Sequence, residues 1–360
     1  MTERIRVAVI GAGIGKAHIA AYAELADLFD VRYVCDLNLP RAEEAAQQAP
    51  GSRAVPDINA VFADPLVDLV DVCLPPQLHA PMTLAALEAG KHVICEKPLA
   101  GSIAEVRRIT DCSARTGRQV FPVFQYRYGA GYRAAHELKI RGLLGKPYVV
   151  ALETHWQRGS QYYAERWRGT WKGELGGVLV SHACHIHNLT THLVGDVVEV
   201  AAFLDTRVNP IETEDCAALS MRTAAGALIT SSVTLGAAGN SSRLRMCFEH
   251  VTITSGTEPY QIGAGPWKFE ATEPSRQAEI DAATRYVPDV LPRFPGLFAD
   301  IHARLTGEPD LYLPSLQESY HSIELVTAIY ASARERQVIR LPLSADHLGR
   351  GLAAGLIDDA

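Results

Sequence analysis

An apolar run, Val7-Ala8-Val9-Ile10, opens directly into Gly11-Ala12-Gly13-Ile14-Gly15 and then into an Ala-rich stretch. That order constrains the chain more than anything else in it, because it reads as a buried strand, a tight turn and a helix. Glycines at 11 and 13 permit the reversal and a close backbone approach, and a helix starting near Gly15 aims its unpaired amides at an anion above them. The arrangement suits a dinucleotide pyrophosphate. Gly11-x-Gly13-x-Gly15 is one residue shorter than the usual G-x-G-x-x-G spacing, so the turn needs support from elsewhere. The next apolar run, Val31-Arg32-Tyr33-Val34-Cys35, supplies it by ending in Asp36, where a carboxylate meets the adenosine ribose hydroxyls. An acidic group there repels a 2′-phosphate, and no basic residue comes before Arg41, which favours NAD over NADP. The competing reading is a Gly-rich turn without a ligand beside a solvated Asp.

Strands and helices alternate through the first third. Strands are expected at Ile5-Ile10, Val31-Cys35, Leu69-Leu74, His92-Cys95 and Val120-Phe124, with helices near 15–27, 40–49, 78–90 and 102–117. Continuous apolar strands separated by helices imply a doubly wound parallel sheet, whose ligands gather at the strand carboxyl ends. Those ends carry Gly11, Asp36, Pro75-Pro76, Lys97 and Gln125. After residue 124 the pattern changes to a helix near 129–141, strand-like runs at 148–156, 198–206, 216–222, 226–235 and 243–254, and one central helix at 177–194. This reads as a second α/β domain with an open, largely antiparallel sheet. A stretch at 255–293 reads as irregular, and helices near 294–306 and 314–334 and a strand Val338-Leu341 close the domain. The expected division is 1–124 for a Rossmann domain, 125–350 for a substrate-binding and oligomerisation domain, and a tail at 351–360 that frays.

Composition narrows the class of partner. A chain of 360 residues with formal net charge -7 offers no electrostatic reason to bind nucleic acid or an anionic membrane. Met1-Thr2-Glu3-Arg4 leads into a core strand without a signal-type apolar region, and no run is long enough to span a bilayer. Seven scattered cysteines without a C-x-x-C pair suit reduced, buried thiols, so the expected location is the cytoplasm.

Several motifs together resemble the Gfo/Idh/MocA oxidoreductases, a family that includes glucose-fructose oxidoreductase and inositol dehydrogenase. They are Gly11-x-Gly13-x-Gly15-x-x-His18, Pro75-Pro76-x-x-His79, Ala89-Gly90-Lys91-His92-Val93-Ile94-Cys95-Glu96-Lys97-Pro98-Leu99, Tyr126-Arg127-Tyr128, and Gly176-Gly177 followed by His185. The resemblance implies a Rossmann domain, a C-terminal domain with a broad sheet, metal-free oxidation of a secondary alcohol on a sugar or cyclitol, and a homodimer or homotetramer. It also implies that Lys97 of Glu-Lys-Pro serves catalysis. Gly11, Gly13, Ile14, Gly15, Asp36, Pro75, His79, Glu96, Lys97 and Gln125 are the candidate cofactor contacts, and Tyr126 and Arg127 join the substrate side.

Lys97 makes chemical sense independently of the family. Hydride leaves a carbinol carbon only as the hydroxyl proton is lost, so the site needs a base or a strong partner for the developing alkoxide. Its bland alternative is a surface ion pair with Glu96. On the helix Ser181-His182-Ala183-Cys184-His185-Ile186-His187-Asn188-Leu189-Thr190-Thr191-His192, a turn of about 100° per residue puts His185, Asn188 and His192 on one stripe and His187 away from it. The stripe faces substrate, holds a metal, or hydrogen-bonds within the protein; no acidic residue joins it, which weakens the metal reading. Relatives commonly show Asp-x-x-x-His-x-x-Asp here, whereas this chain has Ser181, His185 and Asn188. An amide cannot accept a proton as a carboxylate does, so the proton falls to Lys97 with His185, and His192 stands in reserve.

A dense aromatic and basic stretch, which includes Arg158, Tyr163, Trp167 and Arg168, reads equally as a substrate wall and as an oligomer contact. The expected function is an NAD-dependent dehydrogenase of a ring hydroxyl. Two rivals share the fold: an enzyme with tightly held NAD that oxidises only transiently, such as an epimerase, sugar–sugar oxidoreductase or NAD-dependent glycosidase, and a non-catalytic NAD-binding regulator.

Overall fold

The computed structural model describes residues 4–285, 291–308, 312–344, 347 and 351–352. Two compact units divide the chain, one formed by Met1–Val123 with Phe294–Ser319 and the other by Phe124–Arg293 with Tyr320–Ala360. Of the expected tail, residues 353–360 lie outside the described ones.

The first unit runs β1 (Ile5–Ile10), α1 (Gly15–Glu24), β2 (Phe29–Cys35), α2 (Leu39–Ala46), β3 (Arg53–Val55), α3 (Ile58–Ala63), β4 (Leu69–Val72), α4 (His79–Glu88), β5 (His92–Cys95), α5 (Ile103–Thr116) and β6 (Val120–Pro122). Its sheet has the order β3-β2-β1-β4-β5-β6 with every pair parallel. Val7, Val9, Leu69, Val70, Val72, Val93 and Ile94 are fully enclosed, as expected for strands covered on both faces by crossover helices. Strand order reverses between β1 and β4, and it is there that a doubly wound sheet opens a crevice for ligands. Periodicity misses two elements. β3 spans only three residues, and α3 is a short helix announced by its Asp57 cap, whose side chain accepts from Asn59 N at 2.9 Å.

The second unit contains α6 (Ala130–Ile140), β7 (Pro147–Gln157), α7 (Trp171–Glu174), α8 (Cys184–Val194), β8 (Val197–Asp205), β9 (Cys216–Thr223), β10 (Leu228–Thr234), β11 (Gly236–Phe248), β12 (Val251–Thr254), β13 (Lys268–Ala271) and α9 (Gln277–Ala283). Its eight strands, including β14 (Ile339–Arg340), take the order β13-β12-β11-β7-β10-β9-β8-β14. Only β7 and β10 pair in parallel. Alternation sets the faces: Ile229, Ser231 and Val233 of β10 point inward while Leu228, Thr230 and Ser232 are exposed.

Three sequence expectations are corrected here. The run at 243–254 is not one strand but the hairpin β11–β12, which turns at Glu249-His250. The stretch at 255–293 contains β13 and α9, although its residues 286–290 lie outside the described ones. The helix at 177–194 is not uniform, since Leu179–Ala183 form a wider π turn before α8 begins.

Two helices follow α9: α10 (Arg293–Leu305) and α11 (Leu316–Glu335). From Phe294 onward α10 belongs to the first unit, where the Phe298 ring stacks on Tyr22 at 4.5 Å and meets Phe29 edge-on at 6.5 Å. The first unit is therefore discontinuous in sequence, which consecutive segments cut at residue 124 do not capture.

Candidate active site

In the first unit the Gly-rich turn is shaped by contact. Gly11 has φ +97°, and a Cβ there would sit 2.4 Å from the Cys73 carbonyl oxygen, so no other residue fits. A Cβ on Gly13 would meet nothing within 4 Å, which leaves open space above the turn. Ile14, 46% exposed, precedes α1 without a side-chain cap; Lys16 N and Ala17 N turn back to Gly13 O and Ile14 O at 3.3 and 2.9 Å, so the amino end of α1 rests on the Gly-rich turn with its positive dipole end toward the open space above it. Asp36 anchors the same turn: its Oδ2 accepts from Ala12 N at 2.9 Å and its Oδ1 from Asn38 N at 2.9 Å. A carboxylate has about four lone-pair directions, so both oxygens retain capacity for ribose hydroxyls. An open cradle, an uncapped helix end and an anchored carboxylate fit a dinucleotide. Leu37, which sequence reasoning passed over, stands 94% exposed beside Asp36.

The other candidates of this unit cluster around the carboxyl ends of β4 and β5. Pro75 begins the turn that leads to His79, and His79 is enclosed with Nδ1 2.6 Å from Pro98 O and Nε2 2.7 Å from Leu74 O. Its ring clamps the end of β4 to the Lys97-Pro98 segment and turns no nitrogen toward a ligand. Burial lowers its pKa, so the ring stays neutral and donates to one carbonyl at a time. Lys97 is half-buried just past the carboxyl end of β5, in a cis peptide with Pro98, and its backbone N–H donates to Glu96 Oε2 at 3.1 Å. Glu96 is buried, with its other oxygen 3.1 Å from His18 Nε2. Among the described residues, His18, Asp71 and Cys73 form the one compact group of potential metal ligands. A thiol whose pKa burial drives upward and a ring hydrogen-bonded to carboxylates at both nitrogens are poor donors to a metal.

In the second unit, sequence-predicted residues meet along α8. His185 stacks on Tyr126 with ring centroids 4.4 Å apart, and Tyr126 donates its hydroxyl to Pro259 O at 3.0 Å. Arg127 Nε donates to Asn188 Oδ1 at 2.8 Å, with both residues buried. His192 instead joins the frame: its ring stacks on His136 at 5.2 Å, and its Nδ1 pairs with the Tyr132 hydroxyl. Burial, with Arg127 and Lys139 nearby, pushes its pKa down to about 2. His187 points to the sheet, where Nε2 lies 2.9 Å from Ser231 Oγ. Gln125 is buried, and among the described residues nothing donates to its Oε1.

The aromatic stretch forms a continuous wall in the same unit. Arg158 lies over Trp156, Tyr162 and Tyr260 at 4.8, 5.1 and 5.8 Å, and donates to Gln157 O, Asn240 Oδ1 and Tyr260. Among the described residues no carboxylate pairs with it. Arg168 covers Tyr162 at 4.0 Å and Trp167 at 4.3 Å and reaches Glu174 at 3.3 Å, while Tyr163 meets Tyr162 edge-on at 5.0 Å. His182 packs edge-on against Trp156 at 4.9 Å and so ties the wall to the helix that carries His185.

Glu214 is the residue that sequence reasoning missed. Fully buried, it accepts from Gly177 N at 3.0 Å, Leu179 N at 3.1 Å and the Tyr330 hydroxyl at 3.0 Å, and so holds the amino end of the His185 helix. Gly177 is obligatory, since a Cβ there would fall 1.8 Å from the Glu214 carbonyl oxygen.

The parallel sheet, the Gly-rich turn and the strand-end Asp36 define the first unit as a Rossmann domain of the NAD-binding class. The family profile described as "Oxidoreductase family, NAD-binding Rossmann fold" matches residues 5–124, and the Gfo/Idh/MocA C-terminal domain matches residues 132–254. Together they cover well over half of the chain, which belongs to the Gfo/Idh/MocA family. D-glucoside 3-dehydrogenase of Escherichia coli is 31% identical over 195 residues, which make up 53% of this chain and 54% of that protein. Inositol 2-dehydrogenase 3 of Saccharopolyspora erythraea is 38% identical over 148 residues, 41% of this chain and 44% of that one. The chain thus matches about half the length of these curated relatives. The crystal structure of the WlbA dehydrogenase from Bordetella pertussis, in complex with NADH and UDP-GlcNAcA, is 28% identical. It superposes with a TM-score of 0.83 over 96% of this chain and 100% of that one. Among the described residues, no helix is long and apolar enough to cross a membrane.

Proposed function

We propose that the chain is an NAD-dependent dehydrogenase that reversibly oxidises a secondary ring hydroxyl of a sugar, sugar derivative or cyclitol. The observation that carries this reading is Lys97 at the carboxyl end of β5, in the same row of strand ends as the Gly11 turn and Asp36. Bound NAD supplies a hydride acceptor. The turn at Gly13 and the amino end of α1 would hold its pyrophosphate, Asp36 would hold its ribose, and Leu37 would offer an apolar surface to its adenine. The unmet Gln125 Oε1 suits an amide N–H of the carboxamide.

Lys97 takes the hydroxyl proton as the C–H bond breaks, and His185, braced by Tyr126, supports the transfer. Asn188 turns its oxygen to Arg127, which leaves its N–H donors for a sugar hydroxyl. Arg158, resting on aromatic faces without a carboxylate partner, extends the reading to substrates that carry a carboxylate or phosphate. The relatives named for glucosides and inositol, and the neighbour bound to UDP-GlcNAcA, support ring polyols as the class.

Two finer readings accompany this one. The exposed face of the eight-stranded sheet, with Phe203 81% exposed on β8, supports a homodimer or homotetramer. Seven free cysteines, five of them buried, support a cytoplasmic location.

A screen of monosaccharides, glycosides, uronates and inositols with NAD, read by NADH absorbance, tests the function. At least one ring polyol should produce NADH, and Lys97→Met should abolish that turnover while still binding NAD. Activity above about a tenth of wild type in Lys97→Met would remove Lys97 from proton transfer, since general acid–base groups contribute roughly 100-fold or more. Product formed without free NADH would assign the chain instead to enzymes that keep NAD bound and oxidise transiently.

A further inference from the structure

Behind Lys97 the first unit encloses a set of ionisable side chains. His18 on α1 is fully buried, with Nδ1 2.9 Å from Asp71 Oδ2 and Nε2 3.1 Å from Glu96 Oε1. Asp71 Oδ2 also accepts from the Tyr22 hydroxyl at 2.9 Å, and Cys73 Sγ lies 3.4 Å from His18 Nδ1. The rings of Phe294 and Phe298 on α10 close the set from the other side, 4.4 and 5.3 Å from the His18 ring. The other oxygen of Glu96, Oε2, takes the Lys97 backbone N–H at 3.1 Å.

Carboxylate oxygens only accept, so a ring flanked by two of them must donate from both nitrogens. Burial opposes the charged ring, but the Asp71 carboxylate outweighs it and holds the His18 pKa well above the usual histidine value. Burying three ionisable side chains costs more than burying an apolar cluster of the same volume, so packing alone does not account for them. Their geometry instead fixes one thing, the orientation of Glu96.

We propose that His18 is a positioning residue for Lys97: anchored by Asp71, it grips Glu96 so that the second Glu96 oxygen fixes the backbone from which the Lys97 side chain rises. This rests on the reading of Lys97 as the proton-transfer group. Displacements near 1 Å at such a group cost on the order of 100-fold in rate. None of the atoms involved belongs to the turn that cradles the pyrophosphate, so NAD affinity and turnover should separate.

The test compares His18→Gln, Glu96→Ala and Glu96→Gln in the full-length protein by steady-state kinetics, NAD titration and thermal unfolding. His18→Gln is expected to lower kcat by roughly 10- to 100-fold, with substrate KM and NAD Kd within about threefold of wild type. Glu96→Ala should lose as much, whereas Glu96→Gln keeps an acceptor for the Lys97 N–H and a donor for a neutral His18 and should recover at least tenfold over Glu96→Ala. If His18→Gln does not fold, the two Glu96 variants decide the matter alone. A folded His18→Gln or Glu96→Ala with kcat within twofold of wild type, or a Glu96→Gln no better than Glu96→Ala, overturns the proposal. Turnover retained by Lys97→Met would instead overturn the reading on which it rests.

Discussion

Arg127 donates from Nε to Oδ1 of Asn188 across 2.8 Å, and this bond fixes which way the Asn188 amide points. A guanidinium has no acceptor, so the oxygen must face Arg127 and the Nδ2 donors must face away. Asn188→Asp would put a carboxylate against Arg127 and tie the pair more tightly, but it would take away the donors offered to substrate. We expect Asn188→Asp to raise substrate KM by about tenfold with little loss of stability. Asn188→Ala, which strands a buried guanidinium nitrogen, should cost about 1.5–3 kcal/mol in urea unfolding. Equal KM for Asn188→Asp and wild type would show that the amide does not meet the substrate.

Asp36 carries two duties that one substitution separates from the rest of the turn. Its Oδ2 holds Ala12 N, and the remaining lone pairs suit a ribose. Asp36→Ala should weaken NAD binding by about 10- to 100-fold, the equivalent of one charge-assisted hydrogen bond, and should narrow the gap between NAD and NADP. Titration calorimetry with both dinucleotides reads this directly. Tighter binding of NADP than NAD by the wild type would contradict the assignment.

The elements legible in the sequence are those whose signal is local. Strand, turn and helix from Val7 to Gly15 are contiguous, and Lys97 follows its own strand, so neither depends on the rest of the chain. Glu214 lies 35 residues from Leu179, whose N–H it accepts, and no spacing rule connects them. The same holds for Phe298, which stacks on Tyr22 across most of the sequence. His79 shows what the motif does not carry: both of its ring nitrogens face backbone carbonyls, Pro98 O and Leu74 O. Motif position told where the imidazole is, and only its partners tell what it does.

His187 gives the fold a defined acid limit. Buried against Ser231, it is held neutral by desolvation, with its pKa lowered from the usual 6.5 to about 4. Below pH 6.5 the unfolded chain takes up a proton that the folded chain refuses, so stability is full above that pH and falls as the pH drops toward 4. The loss amounts to about 3 kcal/mol over that window. His187→Gln keeps a polar partner for Ser231 without the titration, so urea unfolding at pH 7, 6, 5 and 4 should show a shallower decline than the wild type. Parallel curves for the two proteins would assign the acid sensitivity elsewhere.

Two histidines on one stripe of α8 should respond differently to removal. His185 stacks on Tyr126 one turn before Asn188, among the residues proposed to meet the substrate. His192 is committed to Tyr132 and His136, and a pKa near 2 denies it a proton at any working pH. His185→Ala is therefore expected to lower kcat by roughly 100-fold or more with little change in NAD affinity. His192→Ala should leave kcat within a few-fold of wild type and act on stability, because it opens the stack against His136 and leaves the Tyr132 hydroxyl without its partner, a loss of about 1–3 kcal/mol. Parallel kinetics and thermal unfolding of the two variants separate the cases. If His192→Ala damaged kcat more than His185→Ala, the packing seen around His192 would have to open during turnover, and the proton path would run through the far end of α8 instead of through His185.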